Sequence, residues 1–418
     1  MIDRRTFTTF LAASIAGTSR ALSQTVAAKT VFYASVGAEL TLYEVDVDAA
    51  TLSRRSSVRL PADVQYAWPH PSRRYFYVVS SNGAPGTDGA SGNTHMANAF
   101  RVDPGTGALT PHGEPQRLPS RPIHTSVDGK GEYLLVAYNN PSNVTVHRLN
   151  PDGTIGAMVN QQSKLDTGIY GHQIRTTRSN ETAILITRGN NAMGSRPEDP
   201  GAIKVFRFQD GQLSNLESVT AGNDGLGFGP RHLDFHPTKP LVFVSIERQN
   251  QLYVYQQNAS GALMAKRLFV KGSLADPKNA HESQGAGPIH VSPDGRFVYQ
   301  TNRNAGTTKV DGKDIFSGGE NNIAVWALDQ TTGEPSLIQH IDGHGIQLRT
   351  FGIHPSGRLL VAASIQPLLV REAGKLTTLS AGLSVYRIGR DGKLAFVRKY
   401  DVDVGKATQF WSGMVTLA

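Results

Sequence analysis

Along this chain, short runs that are apolar at nearly every position alternate with brief polar turns, and stretches with helical spacing are few. Six such runs recur at similar distances. HPSRRYFYVV, DGKGEYLLVA, TRSNETAILI, HPTKPLVFVS, SPDGRFVYQT and HPSGRLLVAA begin at His70, Asp128, Thr177, His236, Ser292 and His354, with spacings of 58, 49, 59, 56 and 62 residues. Each is a turn followed by a strand without a polar face, the pattern of a strand buried on both sides. Each is preceded by another short strand, such as HTSV or RHLDF.

A second set of turns falls between them: DVDAATLS, DPGTGALT, NPDGTIGA, FQDGQLSN, QNASGALM, DQTTGEPS and GRDGKLAF. These seven follow strands such as NVTVHRL or NIAVWAL and precede more polar ones. Four strands per repeat with two alternating hairpin turns is the grammar of a β-propeller blade. Thr30 to Pro61 holds only three strands, and FWSGMVTL near the C-terminus supplies the fourth, innermost one. The pattern therefore predicts an all-β chain with one seven-bladed propeller over residues 29–418. Each blade has four antiparallel strands, and N- and C-terminal strands close the ring in one blade, leaving no loose edge at the joint.

Counting strands a to d outward from the channel, the a–b and c–d turns share one face, here called lower. The b–c connections and the blade-to-blade links share the upper face. The upper connections carry the length: SNGAPGTDGASGNTHMANA, GNNAMGSRPEDPGA, NAGTTKVDGKDIFSGGENN and IQPLLVREAGKLTTLSAG read as long loops. Long loops on a rigid scaffold are where function gathers. Five positions before the a–b turn, successive blades show His172, Arg231, Gly287 and Arg349; eleven positions after it stand Arg188, Glu247 and Arg303. Both columns fall at the upper rim because the hairpin returns the chain to its starting end. His124, His232 and His290 are expected there as well, although alternation along a strand predicts that not all of these side chains face the channel. The histidine spacings make no compact metal motif, so neither metal nor cofactor is expected.

Composition refines this picture. Forty-three Gly and 22 Pro suit a turn-rich chain. The net charge of +8 is dispersed, with no Lys/Arg run longer than two, which argues against a nucleic-acid groove and leaves attraction of small anions. Without cysteine, disulfide and thiolate chemistry are excluded. Residues 1–28, MIDRRTFTTFLAASIAGTSRALSQTVAA, carry Arg4, Arg5 and Phe7 ahead of a modest apolar run and small residues, and resemble a twin-arginine export signal. The run is too short for a stable membrane span, which takes about 20 apolar residues. A periplasmic or secreted location is expected, with the cytoplasm as the alternative.

The ordered set PIHTS with YLLVAYNN, GHQIRTTRSNETAILITRGN, GPRHLDFHP with Glu247, PIHVSPDGRFVYQTNR and LRTFGIHPSGRLLVAAS resembles the seven-bladed lactonase propellers. That family includes bacterial 6-phosphogluconolactonase and the fungal 3-carboxy-cis,cis-muconate lactonising enzyme. The resemblance spans Thr30 to the C-terminus and implies a site of His172, Arg231, Glu247 and Arg303. The chain departs from the usual pattern at Tyr170-Gly171-His172, Ile246-Glu247 and Ile365-Gln366, all on the rim. Opening a lactone needs a base for water and cations for the oxyanion. Arg231 and Arg303 suit the second task, while Glu247 or His172 could serve as base, and His124, His232, His290 and Arg349 are expected to contact substrate. A sugar-lactone hydrolase acting on a small lactone or carboxylate is the leading expectation. A muconate-type cycloisomerase and a non-catalytic binding propeller are the alternatives.

Overall fold

The computed structural model describes residues 29–86, 89–372 and 374–418. Among these, the sheets fall into seven blades that follow the predicted order. Blade 1 pairs Ser412–Thr416 with Thr30–Val36, then Glu39–Asp46 and Thr51–Arg59 outward. Blades 2 to 7 begin with Asp63–Pro69, Pro122–Val127, Gly171–Thr176, Pro230–Phe235, Gly285–Val291 and Leu348–Ile353 as their innermost strands. Ring closure is antiparallel, with Thr30 opposite Thr416 and Ala34 opposite Ser412. No helix among the described residues is long and apolar enough to cross a membrane.

Strand b of blades 2 to 7 is buried at every position, as its unbroken apolar runs require. The cause is sandwiching between blades: Ile184 and Ile186 of blade 4 share one core with Val242 and Val244 of blade 5. Each such side chain contributes about 1.5–3 kcal/mol by leaving water. Outermost strands are far less covered: in Leu263–Gly272, Leu263 is buried, and from Lys266 onward exposed and half-buried positions alternate.

The lower c–d turns lock successive blades together. Tyr77 of blade 2 donates its hydroxyl to the Gly153 carbonyl of blade 3 at 2.9 Å, and Tyr299 of blade 6 donates to Gly392 of blade 7 at 2.9 Å. Tyr33 of blade 1 does the same to Gly107 of blade 2. Gly392 holds φ at 81°, and a Cβ there would lie 2.2 Å from the Phe297 ring, so the joint admits only glycine. Blade 1 has Ala50 at the equivalent place, with φ of 52°, buried against Leu359 of blade 7.

One expectation is revised at the upper face. Two of the long b–c connections are not irregular loops. They form hairpins, Thr307–Val310 with Lys313–Phe316 and Leu368–Glu372 with Lys375–Leu379, which join into a small eighth sheet through one parallel bridge, Ile315 to Leu369. Asp311-Gly312, at φ of 49° and 74°, makes the tight turn of the first.

Candidate active site at the upper rim

The column five residues before each a–b turn has a specific backbone origin. Near the top of strand a, the pairing skips one residue: Gly171 opposes Thr187 and Gln173 opposes Ile186, leaving out His172. In the same way Arg231 is skipped between Pro230 and His232, and Arg349 between Leu348 and Thr350. Gln65 and Ile123 occupy the same place in blades 2 and 3, and Gly287 lies within a wider skip in blade 6. A β-bulge re-aims the extra side chain and suspends strict alternation. Consecutive residues such as Arg231 and His232 therefore both serve the channel, where alternation alone predicted one.

Glu247, at the end of strand b in blade 5, is the centre of the rim. Its Oε1 accepts from Arg231 Nη1 at 3.4 Å and from Arg303 Nη2, and its Oε2 accepts from Arg188 Nη1 at 3.4 Å. The carboxylate belongs to blade 5, while Arg188 and Arg303 come from blades 4 and 6. Burial would raise its pKa, but Arg231, Arg303 and Arg188 overcome this and hold it well below the usual carboxylate range. Arg231 is 2% exposed, and burial followed by repulsion from Arg303 brings its guanidinium down to about 9 despite Glu247. It remains a cation at neutral pH. His172, 4% exposed, is pushed well below its ordinary value by burial and then by Arg231, so its ring is neutral. Beside this cluster lies a cavity of about 370 Å³ lined by Arg188, Glu247 and Arg248 among others.

Residues 30–371 match the family model for the lactonase, seven-bladed β-propeller family. The chain belongs to that family. It is 24% identical over 349 residues to the 6-phosphogluconolactonase of Bacillus subtilis, covering 82% of this chain and 90% of the relative. The solved structure of the periplasmic gluconolactonase of Pseudomonas aeruginosa superposes with a TM-score of 0.66 at 20% identity, covering 93% of this chain and 99% of that one. A Lactobacillus plantarum protein gives 0.67 at 20% identity, covering 94% and 100%.

In this lactonase-family rim, His172, Arg231, Glu247 and Arg303 are brought together, as the column spacing implied. Arg349 joins them from blade 7, with its guanidinium 3.5 Å from the Phe410 ring centre. Burial, then Arg231, Arg303 and Arg121, push it well below its ordinary value. Arg121, Arg188 and Tyr170 complete the cluster. Arg188 lies over the Tyr170 ring at 4.3 Å, and Arg121 donates to the Gln65 side chain and lies 5.5 Å from Phe410. Arg188 was in the column but Arg121 and Tyr170 were not; both stand one residue before strand a, a register that could have revealed them.

The other histidines lie deeper. His232 packs its ring 5.0 Å from His172, and His124, wholly buried and at the same step of strand a in blade 3, has its ring 6.5 Å from His232 and 4.0 Å from Tyr66. His290 is not at the rim. It stands towards the lower mouth, with Nδ1 3.4 Å from Asp234 Oδ2 and its ring against Phe351. Position two before the a–b turn is the lower end of strand a, which accounts for the difference.

Proposed function

We propose that this protein, a member of a lactone-hydrolysing family, opens an anionic sugar-type lactone at the upper rim, with His172 as base and Arg231 and Arg303 as oxyanion donors. The observation that carries this reading is the imbalance of charge: the guanidiniums of Arg121, Arg188, Arg231, Arg303 and Arg349 share the rim with the carboxylate of Glu247. Guanidiniums crowded together in low dielectric favour an arriving carboxylate or phosphate, which they can grip in a fork.

The protonation states divide the labour. A carboxylate held by three arginines is a very weak base, so Glu247 anchors and spaces Arg231 and Arg303. His172 is neutral and keeps a lone pair for the proton of the attacking water. Forming an imidazolium among cations is costly in isolation. The oxyanion that forms in the same step, beside Arg231 and Arg303, offsets that cost. The imidazolium then returns its proton to the leaving ring oxygen, giving the open hydroxy acid.

Hydrolysis assays with glucono-δ-lactone and with its 6-phosphate and uronic counterparts test the reading. The charged lactones are expected to show the higher kcat/KM; turnover of none would overturn the hydrolase reading. The same arginines could grip a dicarboxylate, so cis,cis-muconates belong in the assay as the cycloisomerase control. Residues 1–28 lie outside the described residues. Their Arg4-Arg5 pattern supports export to the periplasm, testable by fractionating cells before and after an Arg4→Lys, Arg5→Lys double change.

A further inference from the structure

A large recess lies at the opposite end of the channel from the rim. A cavity of about 590 Å³ opens among the a–b turns of five blades and beside the closing strand, and a second of about 330 Å³ adjoins it. Trp68, Pro69, Val291, Pro293 and Met414 line both, so they are two lobes of one space. The smaller lobe is walled by Tyr66, Trp68, Phe351 and Trp411 with His290 among them. A cavity of this size, with aromatic side chains gathered in one lobe and a few fixed polar groups, has the build of a small-molecule site.

The polar groups are fixed by Asp234. Its Oδ1 accepts from Arg175 Nη1 at 2.7 Å and from the Phe235 amide at 2.9 Å; its Oδ2 accepts from the Val291 amide at 3.0 Å and faces His290 Nδ1 at 3.4 Å. Arg175 is itself clamped between Trp68 and Phe235, at 5.1 and 4.8 Å from their ring centres. A carboxylate can only accept, so the hydrogen shared with Asp234 belongs to His290 Nδ1, and in that tautomer Nε2 is an acceptor. The His290 side chain is 37% exposed, and its ring lies edge-on to Phe351 at 4.7 Å. No hydrogen bond is found at Nε2 among the described residues.

From this geometry we infer that the lower recess binds a small aromatic molecule carrying a hydroxyl group, its ring among Trp68, Phe351 and Trp411 and its O–H donated to His290 Nε2. The aromatic walls select a flat ring, and the acceptor selects a donor on that ring. A carboxylate ligand would meet an acceptor and a guanidinium already neutralised by Asp234, so a phenol fits better than an acid. The site is separate from the rim, with the buried His124 and His232 between the two.

The probe is 4-methylphenol, titrated into the full chain while tryptophan emission is followed. Two of the three tryptophans, Trp68 and Trp411, line the recess, and the third, Trp326, is packed in another core. Saturable quenching is expected, with toluene, which lacks the donor, and 4-methylcyclohexanol, which lacks the flat ring, each at least about tenfold weaker. In His290→Ala, 4-methylphenol should bind no better than toluene; His290→Gln, which retains an acceptor, should recover part of the difference. Trp68→Leu provides a second route if His290→Ala does not fold, and should weaken all aromatic probes. Failure of the wild-type protein to saturate, equal affinity for 4-methylphenol and toluene, or unchanged affinity in folded Trp68→Leu would each overturn the assignment.

Discussion

Arg231 and Glu247 stand sixteen residues apart in the chain and 3.4 Å apart in space, at the two upper ends of one hairpin. The bulge that turns Arg231 inward is what makes the meeting possible, because a regular ladder would pair that residue and hold its side chain to strict alternation. Glu247 is the shared anion of three blades, and its removal should disorganise the arginines and not simply free one.

Glu247→Gln is therefore expected to lower kcat for lactone hydrolysis by at least about a hundredfold, the scale of a lost oxyanion arrangement. KM for an anionic lactone should stay level or fall, since the competing carboxylate is gone. Arg303→Ala should lower kcat/KM by at least about as much. Steady-state kinetics on folded variants checks both, and rates near wild type would remove these residues from the site.

The acid limb of the pH–rate profile should be displaced. Burial and Arg231 depress the His172 pKa, so the base remains unprotonated well below the ordinary histidine range. We expect kcat/KM, corrected for spontaneous hydrolysis, to stay flat through the ordinary histidine value of about 6.5 and to fall only well below it. A midpoint near about 6.5 would show a normally titrating base and count against His172 as assigned.

Stability should begin to decline at higher pH than the rate does. His124, His172 and His232 all have pKa values depressed mainly by burial, so the unfolded chain takes up protons that the folded chain refuses. Stability from these groups is present above the unfolded value and is lost as pH falls below it. Between about pH 7 and pH 5 each contributes roughly 2 kcal/mol of loss if its folded ring stays neutral. Urea midpoints at the two pH values measure the sum.

The blade joints should respond unequally to a single methyl group. Gly392→Ala forces a Cβ into the Phe297 ring at a positive φ and should cost roughly 2 kcal/mol or more. Ala50→Gly relieves a strained φ while losing one buried methyl and gaining unfolded-state entropy, so its net effect should lie within about 1 kcal/mol. Equilibrium unfolding of the two variants side by side gives the comparison.

Arg349 should matter for charge more than for chemistry. Arg349→Leu is expected to raise KM for a phosphorylated or carboxylated lactone by about tenfold or more while changing kcat/KM for a neutral lactone far less. Equal losses on charged and neutral substrates would make Arg349 structural.

Much of this was legible in the turns. Their spacing gave seven blades and the closing strand, and counting from His236 or Ser292 was enough to align Arg231, Glu247 and Arg303 on one rim. What counting could not convey was depth and aim. His290 sits too far along strand a to reach the rim, and its offset of two from a lower-face turn already carries that sign, which is lost when the histidines are grouped by type and not by layer. The bulges at His172, Arg231 and Arg349 have no residue signature, since they arise from ladder registration and not from side-chain type. Arg121 and Tyr170 lie just outside strand a, where a search confined to strand positions passes them by. The Asp311-Gly312 hairpin, by contrast, carries its signal in its turn residues, while the length of the segment alone reads as a loop.

The closing blade also governs when the protein can be finished. Ser35 and Trp411, 376 positions apart, exchange hydrogen bonds where the first strand meets the last. At ordinary synthesis rates the ribosome needs roughly 20 to 75 s to travel between them. Through that interval Val31, Phe32 and Tyr33, all 0% exposed in the finished ring, have their innermost neighbour missing. The ring can close only once Ser412–Thr416 have been made, and a nascent chain truncated before Ser412 would present an open edge to chaperones, proteases or another copy of itself.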